Sequence, residues 1–160
     1  MAGAQGEGAQ EMKGRIRPKK ERVAPDTNII VSVLKREPTS KVSKKALNKM
    51  KHRDHFILLG TVYDEIGVSK SSRLNKDEKK RFRNFSEKNR SKVIRKDSSK
   101  TDIERYKSVK GNDRKVLDEA KKSNVDRIVT MDKKFSRNDG KYGIKLSSPS
   151  EYLKKFKRKK

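Results

Sequence analysis

The chain contains no cysteine, which excludes disulfides, thiolate zinc sites and thiol nucleophiles. No apolar run approaches the roughly 20 residues of a membrane span, and the N-terminal arm lacks the apolar stretch of a signal peptide. A soluble, cytoplasmic protein with no membrane partner is expected. Hydrophobic residues are scarce too, at 29% of 160 residues against 42% charged. That ratio suits one domain with part of the chain outside its core, and it leaves no room for a second. Negative charge is outnumbered: 21 Asp and Glu face 46 Lys and Arg, a formal net charge of +25. Such an excess attracts polyanions, and their binding weakens with salt as neutralised phosphates release counterions. RNA or DNA is the leading partner and an anionic membrane surface the second. The plain alternative is a lysine-rich surface that serves only solubility. The two histidines, His52 and His55, stand three apart with no third ligand in view, so they do not make a zinc site.

What the chain does have is a series of short apolar runs between amphipathic segments. Residues 1–21 read as a disordered basic arm, and residues 157–160 as a basic tail. Between them, Arg22–Pro25, Phe56–Gly60 and Arg127–Met131 carry strand signals, with weaker ones at Val93–Ile94 and Ile144–Leu146. Helical patterns cover Lys41–Lys51, Thr61–Ser69, Lys76–Lys92, Asn112–Ser123 and Pro149–Phe156. Thr61 with Asp64 three residues on resembles a helix cap, and Pro149 suits a first helical turn. This alternation predicts an α/β sandwich with a mainly parallel sheet. Residues 70–110 stand apart as a basic helical lid or insertion. Its Lys79, Lys80, Arg81, Arg83, Arg90 and Lys110 are candidate RNA-binding residues. Phe82 and Phe85 read better as anchors for that segment than as platforms for a base.

Ligands of parallel α/β sheets bind at the carboxyl ends of strands, and two aspartates fall there: Asp26 after Arg22–Pro25, and Asp132 after Ile128–Met131. Asp113 opens the helix from Asn112 on the face that carries Val116, Leu117 and Ala120, so it leans inward at a helix start that favours negative charge. Its plain alternative is an ordinary first-turn acid, with Asn112 or Asp113 as the cap. Asp118, about 140° round that helix, reads as exposed. Asp118, Asp126 and Asp139 read as structural or solvated acids. Glu65 lies one turn into the helix after Phe56–Gly60, beside Val62 and Ile66. Carboxylates gathered at one sheet edge repel each other unless a divalent cation bridges them, and hard oxygen donors suit Mg²⁺ or Mn²⁺.

Several segments resemble a known family. Asp26-Thr27-Asn28-Ile29-Ile30-Val31-Ser32 is similar to the opening motif of PIN domains. Asn112–Ala120 and Ile128–Phe135 resemble their third and fourth motifs, Glu65 fills the second, and Gly143–Leu153 is similar to the last strand and helix of PIN proteins of toxin–antitoxin type. The resemblance covers residues 22–156 and implies a Rossmann-like three-layer α/β/α sandwich that cleaves RNA with Mg²⁺ or Mn²⁺. By motif, Asp26, Glu65, Asp113 and Asp132 would be the catalytic, metal-binding acids, with Thr27, Asn28 and Thr130 in support. A homodimer and an antitoxin protein are the partners it suggests. Pro25 departs from the pattern, because proline removes a ladder donor, and a slightly shortened first strand is expected. The very basic lid also departs, favouring structured RNA or ribonucleoprotein over a toxin's target. The leading reading is a metal-dependent endoribonuclease. A catalytically weak RNA-binding module is the second, and a DNA nuclease of flap type the third.

Overall fold

Asp, Asn and Ser residues stand where the chain turns from extended to helical structure, and their side chains take up the free N–H groups of a first turn. The computed structural model describes residues 19–38, 40–68 and 74–157. Expectations for residues 1–18, 69–73 and 158–160 lie outside the described residues. Strand β1 (Arg22–Pro25) leads into α1 (Thr27–Lys35) and α2 (Ser40–Arg53). Two very short strands, β2 (His55–Phe56) and β3 (Leu58–Leu59), precede α3 (Gly60–Val68). Helix α4 (Lys76–Lys88) ends in a 3-10 turn at Arg90–Lys92, followed by β4 (Val93–Ile94), α5 (Lys100–Glu104) and α6 (Asn112–Lys122). The chain continues through β5 (Arg127–Val129), α7 (Lys133–Ser136), β6 (Lys145–Ser147) and α8 (Pro149–Lys154).

Four strands form a parallel sheet in the order β2-β1-β5-β6, and β3 pairs in parallel with β4 in a smaller sheet. Alternate residues along a strand face opposite ways, and here both faces are buried. Val23, Phe56 and Val129 pack against Ala46, Leu47 and Met50 of α2 and Tyr152 of α8. Ala24, Ile128 and Leu146 pack on the other side with Val62 and Ile66 of α3 and Val116, Leu117 and Ala120 of α6. The fold is the expected three-layer α/β/α sandwich. Helix α1 belongs to both layers, since Ile29 joins the first core while Ile30 and Leu34 join the second.

Three local expectations are corrected. Pro25 does not shorten β1, which runs through it in register with Val129. The Asp26 N–H meets the Val129 carbonyl at 2.8 Å, so by alternation Pro25 points its missing donor toward the β2 side, beyond the last β1–β2 pair at Val23 and Phe56. No ladder bond is lost there. The Phe56–Gly60 run does not form one strand: it passes from the large sheet to the small one at Ile57, and Gly60 starts α3 rather than ending a strand. Thr61 and Asp64 do not form a cap. Glu119 Oε1 accepts the Thr61 N–H at 2.8 Å, and Asp64 pairs with Arg95. Helices α1, α5 and α7 add to the expected helical segments. Pro149 does open α8, beside a capping box of Ser148 and Glu151.

Within residues 74–110, Phe82 and Tyr106 are buried, and Phe85 packs against Phe56. They anchor the basic segment to the body, and β4 adds backbone pairing to β3. At the amino ends of the strands, an ionic cluster fastens the chain's two halves. Lys155 Nζ reaches Glu21 at 2.7 Å and Asp54 at 2.6 Å, Arg127 and Lys145 also pair with Glu21, and the Tyr152 hydroxyl donates to Asp54 at 2.6 Å. Burial pushes the Glu21 carboxyl up, but hydrogen bonds and charge from Arg127 and Lys155 prevail and hold it at about 2.

Candidate active site

Neighbouring parallel strands β1 and β5 end side by side, and each is followed by an aspartate that caps the next helix. Asp26 caps α1, with Oδ1 accepting the Thr27 N–H at 2.8 Å. Asp132 caps α7, with Oδ1 accepting from the N–H groups of Lys134 at 2.9 Å and Phe135 at 3.3 Å. Thr130 joins them. Its buried hydroxyl donates to Asp26 Oδ2 at 2.7 Å and accepts from the Asp132 N–H at 3.1 Å and Asn28 Nδ2 at 3.2 Å. One donor and two lone pairs are thereby all used. Asn28 also reaches Asp26 Oδ2 at 3.5 Å and accepts the Met131 N–H through Oδ1 at 3.1 Å. Thr27 contributes its N–H alone, because its hydroxyl is buried without a hydrogen-bond partner.

The other two acids come from the helical layer. Gly111, at φ +57°, turns the chain into α6 without a side-chain cap, so neither Asn112 nor Asp113 serves as one. Asn112 is free to donate to Glu65 on α3 at 2.5 Å. Asp113, one residue on, is half-buried. Burial pushes its carboxyl up, the charges of Asp26, Asp132 and Glu65 add to that, and it reaches about 7. The Asp26 carboxyl is likewise raised, chiefly by burial and further by Glu65 and Asp132, against the opposing bonds from Thr130 and Thr27. The charges of Glu65 and Asp132 thus act on both Asp26 and Asp113, and that of Asp26 on Asp113.

That repulsion makes stability depend on pH. An unfolded chain releases the Asp113 proton near the ordinary 3.8, whereas the folded chain holds it to about 7. Between these values the folded state binds more protons, so the metal-free protein should lose stability as pH rises through this window and level off above it. Thermal unfolding in EDTA at pH 5 and pH 8 measures the slope, and Asp113→Asn should flatten it. An unchanged slope in that variant would place the pH dependence elsewhere.

The donor set fits a hard divalent cation, since all four groups are carboxylates. Among the described residues, no three acids or histidines stand as a ready-made cage for an ion. Mg²⁺ does not require one, because it keeps several waters and binds through one or two carboxylates.

The candidate RNA-binding residues divide. Lys79, Lys80, Arg83 and Lys110 are exposed. Arg90 is exposed but paired with Glu87, and Arg81 is turned inward, its Nε donating to the Leu34 carbonyl at 2.8 Å. Arg81 thus also braces α4 against α1. Asp118 is corrected: it is buried at 2% exposure, paired with Lys122 and accepting from Ser98 at 2.6 Å. The α5 region covers that flank of α6, so the helix has two buried sides where phase alone assigns one. Asp126 and Asp139 accept the Arg22 and Leu146 N–H groups, both structural duties. Two residues of the site went unrecognised in the sequence. Asn112 holds Glu65, and its place beside Asp113 was the available signal. Glu119 joins α6 to the start of α3, and nothing in its spacing marks it.

Among the described residues no helix is long and apolar enough to cross a membrane. The family model for the PIN domain matches residues 23–141. No curated protein matches the sequence. Among solved structures, FitAcB from Neisseria gonorrhoeae is similar with a TM-score of 0.56 and 14% identity, over 80% of this chain and 98% of that one. VapBC2 from Rickettsia felis, bound to a DNA fragment from their promoter, is similar with a TM-score of 0.55 and 21% identity, over 79% and 97%. At these identities the likeness is one of fold.

Proposed function

The chain belongs to the PIN-domain family, and from that premise we propose that it is a metal-dependent endoribonuclease hydrolysing RNA phosphodiester bonds at its four-carboxylate site. The observation that carries this reading is the joining of Asp26 and Asp132 through Thr130 past the carboxyl ends of β1 and β5, with Glu65 on α3 and Asp113 on α6 adding their charges to that region. A fold tolerates such crowding readily when a cation offsets it in the working state. A formal +25 elsewhere supplies attraction for the polyanionic substrate.

The four acids would hold Mg²⁺ or Mn²⁺, which when bound lowers the pKa of water and stabilises charge on phosphoryl oxygens. The remaining work falls to the chain. Thr130 and the Thr27 N–H fix both oxygens of Asp26, Asn112 orients Glu65, and capping of α7 fixes Asp132. Exposed Lys79, Lys80, Arg83 and Lys110 would contact backbone phosphates, whose neutralisation fixes position more than sequence. An antitoxin protein and a second copy of the chain are the further partners this reading brings, by the toxin–antitoxin likeness of Gly143–Leu153.

The test compares end-labelled RNA, single-stranded DNA and branched DNA of one sequence, with Mn²⁺ or with EDTA. RNA should be cut only with the ion, and both DNAs should survive. RNA that binds equally well in EDTA and is never cut would make the protein a binding module instead. Preferential cutting of branched DNA would move the substrate class.

A further inference from the structure

Val42 on α2 and Met131 just past β5 are the large hydrophobic side chains left exposed among the described residues, at 39% and 37%. Both line one groove of about 400 Å³, whose walls also include Ser43, Lys133, Ser148 and Ser150. The groove adjoins the carboxylate site, because Thr130 in its wall donates to Asp26 from its buried hydroxyl and Asp132 stands between the lining residues Met131 and Lys133. Lys133 follows Asp132 directly in the chain. The volume falls within the range of about 300–1,000 Å³ typical of ligand pockets.

Apolar side chains left open beside a reactive centre mark a surface that something covers. The chemistry here suits a nucleobase. Its flat face would lie on the Met131 thioether and Val42, a soft sulfur surface being a good contact for an aromatic ring. Its polar edge would meet the Ser148 and Ser150 hydroxyls, the buried Ser43 hydroxyl donating instead to the Met131 sulfur at 3.7 Å, and Lys133 would draw the neighbouring phosphate. The acid on the wall, Glu151, accepts the Ser148 N–H at 3.0 Å, which ties its charge to the helix start. The overall +25 favours a polyanion over a neutral or basic protein segment.

We propose that this groove takes the base of the nucleotide adjoining the scissile phosphate, an inference that rests on the nuclease reading above. The substrate is then single-stranded at that step, since a base must leave its stack to enter. Short single-stranded RNAs carrying one 4-thiouridine, photo-crosslinked to the full chain in EDTA, test the placement. Adducts should map to residues 128–133. Met131→Ala removes the sulfur contact and Ser150→Trp fills the mouth. Each should raise Kd about tenfold, and raise KM with Mn²⁺ by a similar factor at unchanged kcat. RNA that is cut but crosslinks elsewhere, with both variants behaving as the parent, overturns the groove and leaves the nuclease reading standing. Crosslinks at 128–133 without cleavage keep the groove and overturn the nuclease. RNA that is not bound at all overturns both.

Discussion

Asp26→Asn is expected to abolish Mn²⁺-dependent RNA cleavage while leaving fold and RNA affinity nearly intact. Asparagine is as good a helix cap as aspartate, so α1 should still start at Thr27. One hydrogen bond must suffer. An amide nitrogen at the Oδ2 position faces the Thr130 proton, and at the Oδ1 position it faces the Thr27 N–H. A neutral bond of this kind is worth about 1 kcal/mol, and relief of charge repulsion at Asp113 works against even that loss. Cleavage is another matter, because Asp26 is the most buried of the four acids and the one tied to both strands. A drop of at least about 10³-fold is expected, at the upper end for removing a single oriented group at a transition state. Rates on labelled RNA, beside melting curves and binding in EDTA, separate the effects. Undiminished cleavage by a folded variant would remove Asp26 from the site.

The largest loss of stability should come from Glu119→Ala. The Glu119 side chain is buried at 3% exposure, and its two oxygens accept the Thr61 N–H at 2.8 Å and the Lys96 N–H at 2.9 Å. One carboxylate therefore closes the first turn of α3 and pins the segment after β4 to α6. Deleting it strands two backbone donors, each worth about 1–3 kcal/mol when unmet. A total near 3 kcal/mol lowers the melting temperature of a domain this size by about 6–12 °C. Glu119→Leu restores volume but not acceptors, so its loss should be similar. Glu119→Gln keeps one oxygen and should fall between. Faster hydrogen exchange at Thr61 and Lys96 would locate the damage. Recovery by leucine would instead assign the effect to packing. Glu65 sits one turn beyond Thr61, so the alanine variant should also disturb the site.

The strand-end aspartates were legible because both signals, an apolar run and an acid that stops it, are local. Asp113 was legible because helical phase is local too. Helix α1 was not: Thr27–Lys35 is rich in β-branched residues, and it is made helical by the Asp26 cap and by burial on two sides. The run at residues 56–60 reads as one strand because periodicity cannot show that neighbouring residues pair with different sheets. Asp118 failed for a related reason. Phase assigns one buried face, and the chain from Ser98 to Tyr106 supplies a second. In each case the missing information is a contact between distant parts of the chain.

The ionic cluster at the amino ends of the strands bears on the order in which the chain matures. Glu21 and Asp54 lie early in the sequence, while their cations come 106 residues later for Glu21 with Arg127, and 134 later for Glu21 with Lys155. Tyr152 follows Asp54 by 98. On a ribosome the two acids would emerge long before anything neutralises them, and β1 would wait without β5 beside it. The nascent chain would therefore extend 104 residues past Asp26 before Thr130 could reach it. A nuclease of the proposed kind would gain from that delay, because α8, which packs on β1 through Tyr152 and Val23, is made well after it.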